Sequence, residues 1–373
     1  MSSDKFSPLY RQIHQDLKAK IMSGELPADS PIPTQIELAR LYGVSEVTSK
    51  RALKELVEEG LIYRQRRNGT FVAKLAAQAP AIPRTANTDR IYLVIHPTVR
   101  YRSFSDPYFS RLVASIGKTC AQFGVRFQIL DVGSASRLTD EEGAGFIVLT
   151  HEIHLATVER WKEERRRMLT IQLSFPHLRI PYIIVDNYTG GYLATQHLLS
   201  LNHRRVGIIL TGDGKSELNQ EFSFRLQGYK LALSQYRIEL DSELIRIVEG
   251  KEELEEMGYE ACGRLLDLPN PPTAIFATSD YKAFGAIRCL QDRGMSAPGD
   301  VSIVGYDNAD VGAFSMPGLT TVDQNTDKLG RRAVEMLLTE YGRHEGEILK
   351  DEIVPTLIVR GSTKPCGTEP DRV

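Results

Sequence analysis

Apolar positions recur every third or fourth residue at the start of the chain, then gather into short solid blocks after residue 90. In PLYRQIHQDLKAKIMSG, Leu9, Ile13, Leu17 and Ile21 stand at four-residue steps and share one helix face, and Gly24 stops the helix. A proline-rich turn, LPADSPIP, follows. TQIELARLYG begins with Thr34 as N-cap and closes at Gly43, which predicts a second helix. Val44-Ser45 opens a third helix that ends at Gly60. LIYRQ and GTFVAK read as two short strands, and Arg67-Asn68-Gly69 between them holds the Asn-Gly hairpin signal. Residues 75–90 (LAAQAPAIPRTANTDR) are rich in Ala, Pro and Thr without periodicity, as a linker is.

From Ile91 short apolar strands alternate with amphipathic helices. The strands are IYLVIHP, FQILDV, GFIVLT, MLTIQL, YIIVDN, VGIIL, LIRIV, TAIFATSD and VSIVGYDN. Solid apolar blocks mark buried parallel strands, and their alternation with helices predicts doubly wound α/β sheets. About ten strands over roughly 270 residues exceed one small sheet, so two similar lobes are expected. The expected plan is a three-helix head with a β-ribbon at 1–74, a linker at 75–90, an α/β body at 91–363 and a flexible tail at 364–373.

The third helix carries the first candidate chemistry. At 100° per residue, Ala52, Leu53, Leu56 and Val57 share a core face, while Val47, Lys50, Arg51 and Lys54 gather on the opposite one. Three cations on the face away from the core suit a DNA major groove, although a solvated charged face is the plain alternative. The hairpin tip RQRRNG adds Arg64, Arg66 and Arg67, placed for phosphates or a minor groove. Net charge agrees weakly: residues 1–74 hold 12 Lys/Arg and 9 Asp/Glu, whereas the remainder holds 34 and 39.

This module resembles the GntR family of winged-helix regulators over PIPTQIELARLYGVSEVTSKRALKELVEEGLIY and NGTFV. The resemblance implies that Glu46, Val47, Thr48 and Lys50 read bases and phosphates; with the helix face and the hairpin, the expected DNA-binding residues are Thr34, Ser45, Glu46, Val47, Thr48, Lys50, Arg51, Lys54, Arg66, Arg67, Asn68, Gly69 and Thr70. Two family arginines are replaced, by Glu46 and Lys50, and the first wing glycine by Arg67. Three readings of Glu46 stay open. It favours the positive end of its helix, it pairs with Lys50 one turn on, or it accepts a hydrogen bond from cytosine N4.

In the body, VDNYTGGYLATQHLLSLNHRRVGIIL, ATSDYKAFGAIRCL and VSIVGYDNAD set Asp186, Ser279, Asp280, Asp307 and Asn308 at strand ends. Ligands of open α/β sheets bind there, and carboxylates there accept hydrogen bonds from sugar hydroxyls. Asp186 and Asp280 as plain helix caps is the competing reading. Arg225, after a polar loop, offers a fixed fork of donors.

Residues 91–363 resemble the LacI/GalR regulator core, itself similar to periplasmic sugar-binding proteins. The marks are the first of those segments together with FRLQGY, PTAIFATSDYKAFGA, DVSIVGYDN, PGLTTVDQNTDKLGRRAVEMLL and PTLIVRGST. The resemblance implies an effector site built from Tyr108 and Phe109 in a loop, His151, Arg225, Glu253, Ser279, Asp280, Asp307 and a lobe-crossing Gln324. Glu253 stands where many members stack an aromatic ring. The connection from FQILDV to GFIVLT is about a dozen residues, where the family fits a whole helix, so one lobe looks trimmed. A GntR-type head on a LacI-type body resembles the arabinose-repressor type of hybrid.

Other chemistries are disfavoured. TGDGKSE has Ile209 where a P-loop needs its first glycine, HEIH lacks the i,i+4 histidines of a zinc helix, and no G-x-S-x-G elbow occurs. Lys282 would suit a Schiff base, but its helix start is covered by the LacI resemblance. WKEERRRM reads as a solvated helix end. Cys120, Cys262, Cys289 and Cys366 show no paired spacing and read as reduced thiols. No apolar run is long enough for a membrane span, and MSSDKFSPLYRQIHQ lacks a signal-peptide core. The expectation is a cytoplasmic ligand-responsive regulator, without cofactor, metal or enzymatic activity. Its expected partners are operator DNA, a sugar or other small polar effector, and a second copy of itself, with effector binding altering head spacing. A transport-type sugar-binding protein is the rival, disfavoured by the DNA-binding head.

Overall fold

A computed structural model of the chain describes residues 9–22, 25–27, 29–58, 61–65, 69–73, 88–96, 107–138, 143–149, 153–212, 218–250, 254–341 and 348–367. The side chains of Val47, Arg51, Arg64 and Gln65, among others within these ranges, lie outside that description. The chain divides into two compact units, Met1–Pro83 and Arg84–Val373.

The first unit contains α1 (Leu9–Met22), β1 (Pro31–Ile32), α2 (Gln35–Tyr42), α3 (Glu46–Glu58), β2 (Ile62–Gln65) and β3 (Gly69–Val72). Ile13, Leu17 and Ile21 from α1 meet Leu38, Ala52, Leu53 and Leu56 in one core. The four-residue apolar step thus faces the α3 stripe that the sequence assigns to the interior. Burying each such side chain contributes about 1.5–3 kcal/mol. Thr34 caps α2 through a complete capping box with Glu37, and Gly43 ends it at φ 63°. LPADSPIP holds more than a turn. Pro31 and Ile32 pair antiparallel with β3, giving the sheet order β1-β3-β2. A two-residue edge strand leaves no periodicity to read, and proline is tolerated at such an edge.

Twelve strands follow among the described residues: β4 (Arg90–Ile95), β5 (Arg126–Asp131), β6 (Ala144–Val148), β7 (Arg167–Ile171), β8 (Tyr182–Val185), β9 (Val206–Gly212), β10 (Ile245–Glu249), β11 (Ala274–Ala277), β12 (Ser302–Tyr306), β13 (Thr320–Asp323), β14 (Lys350–Ile353) and β15 (Thr356–Ile358). They form two six-stranded sheets. The first runs β14-β8-β7-β6-β4-β5 with every pairing parallel. The second runs β10-β9-β11-β12-β13-β15 and is parallel except for its edge strand β15. Helices cover the faces, so the apolar blocks are buried: Ile91, Leu93, Ile147, Leu169 and Ile183 in one lobe, Ile208, Ile209, Ile275, Phe276 and Ile303 in the other.

All nine strands expected from the apolar blocks form. β13, β14 and β15 are three or four residues long and partly polar, and no block announces them. The short link between β5 and β6 holds a six-residue helix, Val132–Arg137, capped by Asp131. The chain passes between the lobes three times: after β8, after β13, and between β14 and β15. No helix among the described residues is long and apolar enough to cross a membrane.

Candidate functional sites

In the first unit α3 presents Lys50 and Lys54 to solvent, opposite its buried Ala52, Leu53 and Leu56. Ser45 precedes the helix and its hydroxyl accepts from the Thr48 amide at 3.3 Å. Ser49 is fully buried. Its hydroxyl donates to the Gln35 carbonyl at 2.6 Å, which fixes α3 against the start of α2. Sequence reading missed this serine, since one buried hydroxyl on a polar helix leaves no periodic signal. Glu46 is the first residue of α3 and exposed, and neither an ion pair nor a hydrogen bond joins it to Lys50. All three readings of Glu46 remain open. Gly69 begins β3 at φ 113°, a value that favours glycine. Thr70 follows it in β3. Arg66, Arg67 and Asn68 lie outside the described residues, as do the side chains of Val47 and Arg51.

In the body, the carboxyl ends of both sheets carry polar side chains. Arg225 is 3 % exposed, on the Gln220–Gln235 helix. Its Nε donates to Asn187 Oδ1 at 2.8 Å, its Nη1 donates to the Thr278 carbonyl at 2.6 Å, and its guanidinium lies 3.7 Å from the Tyr306 ring centroid. The fork is therefore held rigid from two sides. Lys282 is also fully buried; its Nζ donates to the Thr211 hydroxyl at 2.8 Å and stands 4.5 Å from the Phe222 ring.

A chain of hydrogen bonds links the lobes. Gln172, just after β7, donates through Nε2 to the Tyr108 hydroxyl and, at 3.3 Å, to Gln324 Oε1. Gln324 Nε2 in turn donates to Asp307 Oδ1 at 2.5 Å. Beside it, Arg111 of the Pro107–Gln122 helix donates to the Asn308 carbonyl at 2.9 Å. Gln172 (φ 63°), Asp307 (φ 112°), Asn308 (φ 53°) and Asn325 (φ 52°) all hold left-handed backbone. Gln172 and Asp307, which are neither glycine nor asparagine, hold this uncommon backbone within the interlobe hydrogen-bond chain.

Three expectations need correction. Tyr108 and Phe109 stand on the first turn of a helix, not in a loop, and Phe109 packs into the first lobe's core, 4 % exposed. Asp280 does not cap a helix; Ser279 does, accepting from the Lys282 amide at 3.3 Å. Asp280 is 1 % exposed and braces the loop after β12, accepting from Thr321 Oγ1 at 2.6 Å and the Ala309 amide at 2.7 Å. Asp186 does cap the Asn187–Ser200 helix. His151 and Glu253 lie outside the described residues. Sequence reading passed over Gln172, Asn187, Phe222 and Arg111. A glutamine closing an apolar strand was a usable signal for Gln172; nothing local marks Arg111.

Burial pushes the Asp280 carboxyl up to about 7, against the opposing hydrogen bond from Thr321. An acid whose folded value is raised binds its proton more tightly when folded. Stability therefore falls as pH rises from about 3.8 towards 7 and is flat above. His197 and His203 shift down, chiefly through burial, and act oppositely on the acid side. Subtracting the melting-temperature profile of Asp280→Asn from that of the unaltered chain isolates the carboxyl. The difference should slope between pH 5 and 7, and a flat difference would count against the buried ionisation.

Comparison with known proteins gives consistent matches. Residues 9–72 match the bacterial regulatory proteins of the gntR family, and residues 195–363 match the periplasmic binding protein-like domain. The HTH-type transcriptional repressor CytR of Escherichia coli is 31 % identical over 349 residues, spanning 89 % of this chain and 96 % of that protein. The arabinose metabolism transcriptional repressor of Geobacillus stearothermophilus is 27 % identical, spanning 97 % and 99 %. A LacI family transcriptional regulator from Enterococcus faecium, solved with bound ribose, superposes with a TM-score of 0.63 at 27 % identity, covering 74 % of this chain and all of that one.

Proposed function

The chain belongs to the LacI-type transcriptional repressors and carries a GntR-family head; on that premise we propose that it is a homodimer that senses a sugar between the lobes of its body. The observation that carries this reading is the polar set at the facing carboxyl ends of the two sheets. Arg225 and Asp307 come from one lobe, Tyr108 from the other, and Gln324 bonds to residues of both. Arg225 offers donors, Asp307 and Gln324 offer acceptors, and the relatives' names include an arabinose repressor and a ribose-bound regulator. Carbohydrate-metabolism genes are the corresponding target.

The proposed coupling runs through the interlobe hydrogen bonds. A sugar that replaces the Gln172–Gln324 contact changes the relative stability of two lobe arrangements, and only that difference shifts operator affinity. A thermal-shift screen of sugars and polyols identifies the binder, because a selective ligand raises the melting temperature by mass action. DNA affinity at fixed salt is then measured with and without it. Equal affinity in both states sinks the coupling.

The head is proposed to read DNA through Ser45, Glu46, Val47, Thr48, Lys50, Arg51 and Lys54, with Arg66, Arg67, Asn68, Gly69 and Thr70 as the wing and Thr34 near phosphate. Glu46→Arg tests base reading: unchanged preference at every site position eliminates it. For the dimer, Val311, Phe314 and Met316 are 55 %, 86 % and 93 % exposed on one short stretch. An apolar run so open is the mark of an interface. Phe314→Glu should convert dimer to monomer in sedimentation, and an unaltered dimer removes this face from the interface.

A further inference from the structure

The amino ends of the first lobe's parallel strands carry a second polar feature, at the opposite end of the sheet from the cleft. There WKEERRRM closes the Leu155–Glu163 helix and leads into β7. Lys162, Arg165, Arg166 and Arg179 border a cavity of about 280 Å³ that is backed by Met168 and Tyr341. Arg166 is structural. Its Nη1 donates to the Ala135 carbonyl at 2.7 Å, its Nη2 to the Leu138 carbonyl at 2.8 Å, and its Nε to Glu164 at 2.6 Å. Lys162, Arg165 and Arg179 are exposed. Arg165 holds φ 55° in the turn between helix and strand, a strained position for arginine. Glu159 and Glu163 are exposed on the same helix but do not border the cavity.

The neighbouring Arg167 ties this cluster to the head's tether. Its Nη1 donates to Thr88 Oγ1 at 2.9 Å, and its guanidinium lies 5.1 Å from the Tyr341 ring. Fourteen residues, 74–87, separate Ala73 of the head from Thr88. Fully extended they reach at most roughly 50 Å. DNA held by the head is thereby kept at high effective concentration near the cluster.

We propose that Lys162, Arg165 and Arg179 form a second phosphate-binding surface that engages the DNA backbone outside the segment held by the head. The proposal rests on the head's binding duplex DNA. Each phosphate neutralised releases condensed counterions, so the salt dependence of affinity measures how many phosphates the protein engages. The full-length protein is titrated with a duplex of about 40 base pairs of arbitrary sequence, between roughly 50 and 200 mM salt, since such binding is dominated by phosphates. Lys162→Gln/Arg165→Gln/Arg179→Gln should weaken binding at low salt and reduce the slope of log K against log salt by about 0.9 for each phosphate left unneutralised. Two such phosphates correspond to an affinity loss across that range that is roughly tenfold smaller than for the unaltered protein. Its melting temperature, measured alongside, separates loss of phosphate contacts from loss of stability. An unchanged slope overturns the proposal while leaving the head's function intact. Absence of DNA binding by the unaltered protein overturns both. Stabilisation of the unaltered chain, but not the triple variant, by inorganic phosphate together with an unchanged slope assigns the cavity to a free anion and overturns the DNA contact.

Discussion

Replacing Gly285 by alanine is expected to lower the melting temperature of the body by several degrees, and replacing it by valine to prevent folding of the second lobe. Gly285 lies on the Asp280–Asp292 helix against the Glu255–Leu266 helix. A Cβ there would stand 2.7 Å from the Tyr259 amide nitrogen and closer still to the Glu255 carbonyl oxygen. Gly258 answers from the other helix, where a Cβ would come within 2.6 Å of the Lys282 carbonyl carbon. The obstructing atoms are backbone on both sides, so relief requires the helices to part. Overpacking of this kind costs about 1–3 kcal/mol or more, and each kcal/mol moves the midpoint of a body this large by about 2–4 °C. Separation would also shift Lys282 and, through it, the cleft. Gly367→Ala is the control, since a Cβ there meets nothing within 4 Å. A Gly285→Ala midpoint matching the control would disprove the close crossing.

Arg225→Lys should remove at least about half of the ligand-induced stabilisation by any sugar that the unaltered chain binds, although charge is retained. The guanidinium reaches Asn187 and Thr278 simultaneously and stands over the Tyr306 ring, 3.7 Å from its centroid. An ammonium can neither stack so nor hold two partners in that plane. Hydrogen bonds to a charged group contribute about 1.5–3 kcal/mol each, so losing one to the ligand weakens binding roughly ten- to 150-fold. At a concentration where the unaltered chain gains about 2.7 kcal/mol from ligand, the variant should gain only about 0.3–1.4 kcal/mol. Measuring each protein with and without sugar separates this from the variant's own loss of stability. Equal ligand-induced shifts would remove Arg225 from the effector site.

The strand blocks and the helix periods of the head are local properties, and each could be read because its residues repeat at the interval their own geometry sets. Ile91 to Ile95 are all buried, as a solid apolar block between helices requires. The α3 stripe also faces inward as its 100° steps demand. Arg225 and Gln324 were singled out only through motifs that resemblance supplied, and the structure buries both.

The close helix crossings were not legible. In the structure Gly190 faces the Tyr306 ring and Gly191 the backbone at Arg225, so both serve packing. Gly258 and Gly285 carried no signal at all.

What the sequence determined by itself was the inventory: a three-helix basic head and parallel strands enough for two lobes. Those follow from periods of two to four residues that any local window contains. Tertiary structure alone decided that Phe109 faces the core, that Asp280 braces a loop from 1 % exposure, and that Gln172 meets Gln324 across 152 positions of chain. Contacts between residues so far apart depend on sheet order and lobe crossing, and no local pattern encodes either.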